Sequence, residues 1–310
     1  MSKSKRTPAF RVLSEITRRS PTTKRAISYA TNLCFATVSQ YINQWKEDGL
    51  FSTSHPKAGQ KHNQRGRKTE IIAANPKRLY LCIDLTSKNF TYSLSPLAFA
   101  QIKPEHFYYV DDLDYFGNIS LLAHEIREYC GNARPYYTIV AFPGIYDAQR
   151  DILCHCPRND YAMNPVKESL HAFGLFPDRI VSSTDAAAAY LKDQAPHALI
   201  FLDENVYGYT EPSSFCCFNS VFINARQTIT LQDVLFSQLN DAKTYLYLSR
   251  FFATFSNMDT FIITNTVSQN AVTLLLKEYK SLHDITEEEP VLKGLMLMAV
   301  ESYIDQLYPK

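Results

Sequence analysis

The chain has 310 residues, enough for two or three domains, and its apolar fraction of 45%, with 19 Phe and 20 Tyr, excludes wholesale disorder. Net charge is +1, yet residues 1–78 carry 16 Lys+Arg against 4 Asp+Glu, while residues 79–310 carry 16 against 27. The first part, at +12, suits a polyanionic partner that the second, at −11, would repel.

The opening MSKSKRTPAF is basic and polar, with no apolar stretch behind it to act as a signal peptide. The longest apolar runs, such as Ala198 to Leu202, fall far short of the roughly 20 residues a membrane span needs. A soluble, cytoplasmic protein without a membrane partner is expected. Seven cysteines, at 34, 82, 130, 154, 156, 216 and 217, are an odd set in a long chain, which favours reduced thiols. Cys154-His155-Cys156 lacks the spacing of a closed zinc site, because ligands from adjacent residues diverge. No metal and no cofactor are expected.

In chain order, Phe10, Leu13 and Ile16 fall at intervals of three and predict a first helix. A second begins after Ser20-Pro21-Thr22 and runs through Lys24, Arg25 and Ile27 to about Ala30. Asn32 tolerates the left-handed backbone of a tight turn, and Leu33 is a candidate anchor. A third helix is predicted from about Phe35 to Asp48, with Val38, Ile42 and Trp45 as its buried stripe. The opposite face carries Ala36, Thr37, Gln40 and Asn43, with Ser39 alongside, side chains small or polar enough to approach base edges in a major groove. Glu47-Asp48-Gly49-Leu50 ends this helix and feeds a β-hairpin whose second strand is expected over Thr69 to Ala73. Its tip holds Arg65, Gly66, Arg67 and Lys68, where glycine lets the backbone lie flat while both guanidinium groups reach phosphates or a narrow minor groove.

Residues 1–78 therefore read as a winged helix-turn-helix for double-stranded DNA and residues 79–310 as a second, α/β unit. Leu79 to Leu85, Phe90 to Leu94 and Tyr136 to Phe142 are strand-like, and Ile119 to Cys130 is helical. Ile180 to Ser182 leads into the alanine-rich helix Asp185 to Lys192. Ala198 to Leu202, Phe215 to Ile223 and Thr260 to Thr264 are further strands, Ile229 to Phe255 is mainly helical, and two helices close the chain. Such alternation predicts α/β architecture. In the last helix, Leu292, Leu295, Leu297 and Met298 are expected in a core.

The stretch TKRAISYATNLCFATVSQYINQWKEDGLF, with its ATVS and E-x-GL elements, resembles the helix-turn-helix of the ROK family (repressors, open reading frames and kinases), and QRGRKTEIIAANP resembles that family's wing. Thinner likenesses continue in LYLCIDLTSKNFTYSL, VAFPGIYD, CPRND and SSTDAAAAYL. Cys34 stands where Ser or Thr normally caps the recognition helix, and cysteine is a poor cap. The resemblance implies an actin-like, sugar-kinase-type fold of two α/β lobes. It also aligns Asp185 with the family's catalytic base and Asp84 with its first-loop aspartate.

The phosphate-handling glycines of that family are missing. Only 9 of 310 residues are Gly, about 3% against a usual ~7%. Where the family has DxGxT, this chain has Asp84-Leu85-Thr86-Ser87-Lys88; for GTGIG it has Asp203-Glu204-Asn205-Val206-Tyr207, and for a Gly-Gly pair Thr264-Asn265. Backbone amides cannot approach phosphates closely when a Cβ stands between them. Asp84 and Asp185 are then vestiges of catalysis, and no enzyme is expected. The family's zinc and sugar motifs are not found. The reading is a DNA-binding regulator, a repressor by resemblance, whose second unit dimerises (or forms a higher homo-oligomer), senses a small molecule with a carbohydrate among the candidates, or does both. Its alternatives are a divergent sugar kinase and a protein-recruiting scaffold.

Overall fold

The computed structural model describes residues 7–55, 69–86, 89–154, 165–191, 197–202, 206–210, 215–217, 231, 241–255, 257–264 and 269–308. Three helices open the chain: α1 (Pro8–Arg19), α2 (Lys24–Thr31) and α3 (Phe35–Glu47). Thr7 caps α1, its Oγ1 accepting from the Phe10 N–H, and Thr23 caps α2 in the same way through Ala26. Asn32 adopts φ 52° and ψ 38° between α2 and α3, the left-handed turn the sequence predicts. Val12, Leu13, Ile16, Ile27, Val38, Ile42 and Trp45 are fully buried together, whereas Leu33 is only half-buried.

The hairpin strands are β2 (Phe51–Ser54) and β3 (Ile71–Ala74), slightly later than Thr69 to Ala73. They pair in antiparallel register, Thr53 opposite Ile72. A two-residue strand, β1 (Thr22–Thr23), adds to the free side of β3 and carries no pattern long enough to read in the sequence. Ser20 Oγ accepts from the Ala74 N–H and so locks β3 beneath α1.

The larger part is built on two five-stranded sheets. The first comprises β4 (Tyr80–Asp84), β5 (Asn89–Ser95), β6 (Glu105–Tyr108), β7 (Tyr137–Phe142) and β10 (Arg179–Ser182), in the order β10-β7-β4-β5-β6. Strands β4, β7 and β10 are parallel, and β5 and β6 add antiparallel at one side. A small hairpin, β8 (Ile145–Asp147) with β9 (Ile152–Cys154), follows β7. The second sheet comprises β11 (His197–Leu202), β12 (Val206–Thr210), β13 (Phe215–Cys217), β14 (Asp259–Thr264) and β15 (Leu282–Asp284), in the order β13-β12-β11-β14-β15. The expected strand from Phe215 to Ile223 is seen as far as Cys217; its remainder, like residues 229–230 and 232–240 of the helical stretch from Ile229 to Phe255, lies outside the described residues.

Helices α4 (Tyr115–Cys130) and α5 (Val166–Phe173) cover the first sheet, and α7 (Asp241–Phe252) and α8 (Gln269–Glu278) cover the second. Between the sheets lie α6 (Ser183–Leu191) and the C-terminal helix α9 (Pro290–Leu307). Helix α9 buries 13 of its 18 residues, Leu292, Leu295, Leu297 and Met298 among them, so it is apolar on all sides. One side packs on α6, β4 and β7, another on α1. The three-helix head and the layer between the two sheets therefore share one continuous core.

Crossing this closely requires a glycine. A Cβ on Gly294 of α9 would stand 1.7 Å from the Ala186 carbonyl oxygen of α6, against backbone that cannot swing away. Gly294→Ala should destabilise the protein by about 3 kcal/mol or more, the upper end of the overpacking range. A lowered melting temperature by circular dichroism would show it, and an unchanged one would mean the two helices can part at no cost.

Candidate nucleic-acid interface

The turn at Asn32 delivers the chain to Cys34, the N-cap of α3. The poor cap of the sequence reading works here through sulfur: the Thr37 N–H donates to Cys34 Sγ over 3.5 Å, and Sγ lies 3.0 Å from Thr37 Oγ1. These hydrogen bonds, the side-chain one foremost, hold the Cys34 thiol below the ordinary cysteine range.

On the face opposite Val38, Ile42 and Trp45, Ala36, Gln40 and Asn43 are exposed, whereas Thr37 and Ser39 are half-buried. Thr37 turns its hydroxyl to Cys34, and Ser39 Oγ is sealed from solvent without a hydrogen-bond partner. Phe35, not singled out in the sequence, is the first residue of α3 and is 56% exposed; Tyr29 on α2 is 91% exposed. Only the placement of the turn, not their residue type, could have marked them.

Lys24 and Arg25 begin α2 with different fates. Lys24 Nζ pairs with Glu70 at 2.8 Å and donates to Asn43 Oδ1 at 3.3 Å, with its side chain 17% exposed. Hydrogen bonding from Lys24 holds the Glu70 carboxyl below its usual range, against a smaller effect of burial. Lys46 reaches the same carboxylate at 3.5 Å. A three-element clamp thus joins α2, α3 and the approach to β3. Arg25 is exposed. Arg65, Gly66, Arg67 and Lys68 lie outside the described residues.

The far end of α3 is fixed to the larger part. Tyr303 of α9 donates to Asp48 Oδ2 (2.9 Å) and Tyr308 to Gln44 Oε1 (2.9 Å). Burial, with the adjoining Asp48 carboxylate, pushes the Tyr303 hydroxyl well above an ordinary phenol. Arg78, in the connection between β3 and β4, donates to the Asp48 carbonyl (2.8 Å) and stacks its guanidinium 3.6 Å from the Tyr136 ring centroid and 5.2 Å from that of Tyr303. From α1, Arg18 reaches the Tyr190 carbonyl and lies over Phe99.

A cavity of about 470 Å³ runs along β10, lined among others by Tyr146, Lys167, Asp178, Arg179, Ser182 and Asp185. Asp185 stands in the first turn of α6, its own N–H donating to Ser182 Oγ, and Asp84 Oδ1 accepts from the Thr86 N–H in the turn after β4. Arg179 faces this cavity and also grips α9: Nη1 donates to the Met298 carbonyl (3.2 Å) and to Ser302 Oγ (3.1 Å), and lies 3.5 Å from Glu301. At the end of β14, a backbone amide is taken by a side chain of the same unit. The Thr264 N–H donates to Thr286 Oγ1 (2.8 Å), which in turn donates to Asp284 Oδ1 (2.6 Å). Residues 87–88, 203–205 and Asn265, which the sequence resemblance sets against phosphate loops, lie outside the described residues, as do His155 and Cys156. Among the described residues no group of three or more His, Cys, Asp or Glu is placed to hold a metal ion, and no helix is long and apolar enough to cross a membrane.

No protein-family model matches the sequence, and no curated protein matches it. Solved structures do match its fold. The architecture is α/β of the actin-like, sugar-kinase type. More narrowly it is the fold of ROK proteins: it is similar to a ROK-family transcriptional regulator described as a homologue of the E. coli Mlc protein, at 14% identity and TM-score 0.52, covering 95% of this chain and 98% of that one. An inorganic polyphosphate/ATP-glucomannokinase from Arthrobacter sp. strain KM matches at 12% identity and TM-score 0.52, over 73% of this chain and 99% of that one. A regulator and a kinase thus share this fold.

Cysteine chemistry gives a direct check on the cap of α3. Cys34 is exposed, whereas Cys82 is buried and Cys130 half-buried, burial raising both thiols and pushing that of Cys82 up to about 12. Iodoacetamide at neutral pH should alkylate Cys34 on the order of ten-fold or more faster than either, read by peptide mass spectrometry. Equal rates would refute the sulfur cap.

Proposed function

We propose that this chain is a DNA-binding transcriptional regulator of the ROK type, acting as a repressor. Its first 78 residues serve as a winged helix-turn-helix, with α3 as recognition helix and the β2–β3 hairpin as wing. The observation that carries this reading is the union of a net +12 in residues 1–78 with a helix–αL turn–helix whose second helix keeps one face buried and the other open. Arg25 and the wing residues Arg65, Gly66, Arg67 and Lys68 would take phosphates or the minor groove, with Lys24 beside them once Glu70 releases it. The match to a ROK regulator over 95% of this chain supports the reading, against 73% for the glucomannokinase.

Residues 79–310 would dimerise and sense a small molecule, carbohydrates among the candidates. Support comes from the cavity along β10 and from Arg179, which touches both that cavity and α9, the helix that also holds Asp48 and Gln44 at the end of α3. Phosphoryl transfer needs a glycine cradle and charge stabilisation. Asp84 and Asp185 stand without the glycines that surround such residues in a working site, and the last amide of β14 is already bonded to Thr286. We therefore assign no kinase activity.

Selection of duplexes from a random pool by the full-length protein tests the main reading. Bound sites should show half-site symmetry, with affinity falling steeply as salt rises. Replacing Arg65 and Arg67 with Ala should weaken binding to all sequences and flatten the log–log salt slope by about 2. Failure to retain any duplex at low ionic strength would overturn the proposal. In parallel, ATP-dependent phosphorylation of a panel of hexoses should be undetectable and indifferent to Asp185→Asn; turnover that this substitution abolishes would restore the kinase alternative.

A further inference from the structure

The leading edge of α3 offers carbon where a polar code would be expected. A helix entering a groove by its N-terminus presents its first, second and sixth residues, which span an arc of about 140° at 3.6 residues per turn. In α3 these are Phe35, Ala36 and Gln40, all exposed. The hydroxyls that sequence alone would assign to base contact are otherwise placed, Thr37 Oγ1 against Cys34 Sγ and Ser39 Oγ sealed inside. Further along, Asn43 Oδ1 accepts from Lys24 and Gln44 Oε1 from Tyr308. What remains at the front is an aromatic ring, 56% exposed, beside a methyl group, with one carboxamide a turn behind.

An exposed phenylalanine on a head carrying +12 is a poor fit to a protein core as partner and a good fit to the one apolar feature of a polyanion's groove. In the major groove that feature is the C5-methyl of thymine, which Ala and Phe contact, while a glutamine amide pairs bidentately with adenine N6 and N7. Resting on the DNA-binding reading above, we propose that Phe35 and Ala36 read thymine methyl groups and Gln40 reads an adjacent adenine. Each half-site would then contain neighbouring A·T pairs recognised by methyl contact and one carboxamide, with no hydroxyl of α3 involved.

The test starts from a duplex selected by the full-length protein. If no duplex is selected, the DNA-binding reading falls, and this assignment with it. Given a site, each thymine is replaced singly by deoxyuridine, which removes one methyl and leaves pairing intact. We expect at least one position per half-site where wild-type affinity drops about four-fold, the partition of one buried methyl. That drop should vanish in Phe35→Ala and persist in Phe35→Leu. Replacing the neighbouring adenine with 7-deazaadenine should weaken wild type and leave Gln40→Ala unaffected. If deoxyuridine is silent at every position, or if Phe35→Ala keeps the full methyl dependence while the duplex still binds, the assignment is overturned although DNA binding stands.

Discussion

One helix holds this molecule together. Helix α9 is apolar on every side because it is surrounded on every side: α6, β4 and β7 enclose it from the larger part, and α1 closes over it from the head. Hydrophobic burial is non-directional and scales with area removed from water, so a helix shared by two units ties their stabilities together more firmly than a linker could. The contact is steric as well as apolar, since the α6 and α9 backbones touch where Gly294 meets Ala186. At its far end the same helix turns polar, placing Tyr303 and Tyr308 against Asp48 and Gln44.

That arrangement gives the cavity along β10 a material connection to the head. Arg179 lies in the wall of the cavity and holds the Met298 carbonyl and Ser302 of α9. The residue after Ser302 is Tyr303, which reaches Asp48. Arg78 completes the joint, stacked against the rings of Tyr136 and Tyr303 and bonded to the Asp48 carbonyl. Any molecule that repositions Arg179 acts on a helix already bonded to the end of α3. The energetic coupling would be the difference in its contacts between two settings of α9.

Much of this was legible in the sequence. Period-three spacing located α1, the Val38, Ile42 and Trp45 stripe located α3, and Asn32 marked the turn, because each is a local rule with few competitors. The strands β4, β5, β7, β10, β11 and β14 were visible as apolar runs. Strands β1, β6, β8, β9, β12 and β15 were not, being two to five residues long and defined by their partners, and neither was α5. The face of α3 was foreseen, but not the engagement of its hydroxyls. Spacing assigns a residue to a face; whether Thr37 spends its oxygen on Cys34, or Ser39 tucks its own inside, depends on rotamers set by neighbours. The same blindness hid the Lys24–Glu70 pair, whose members are 46 residues apart in the chain and 2.8 Å apart in space.

The shared core also bears on how such a head could be exchanged between relatives. The apolar side of α1 was shaped against a helix more than 270 residues downstream. A recombination event moving only the beginning of the gene would bring in an α1 whose knobs meet foreign hollows. A transplanted head would thus have to carry the last helix along, leaving gradual change on the exposed front of α3 as the easier evolutionary path.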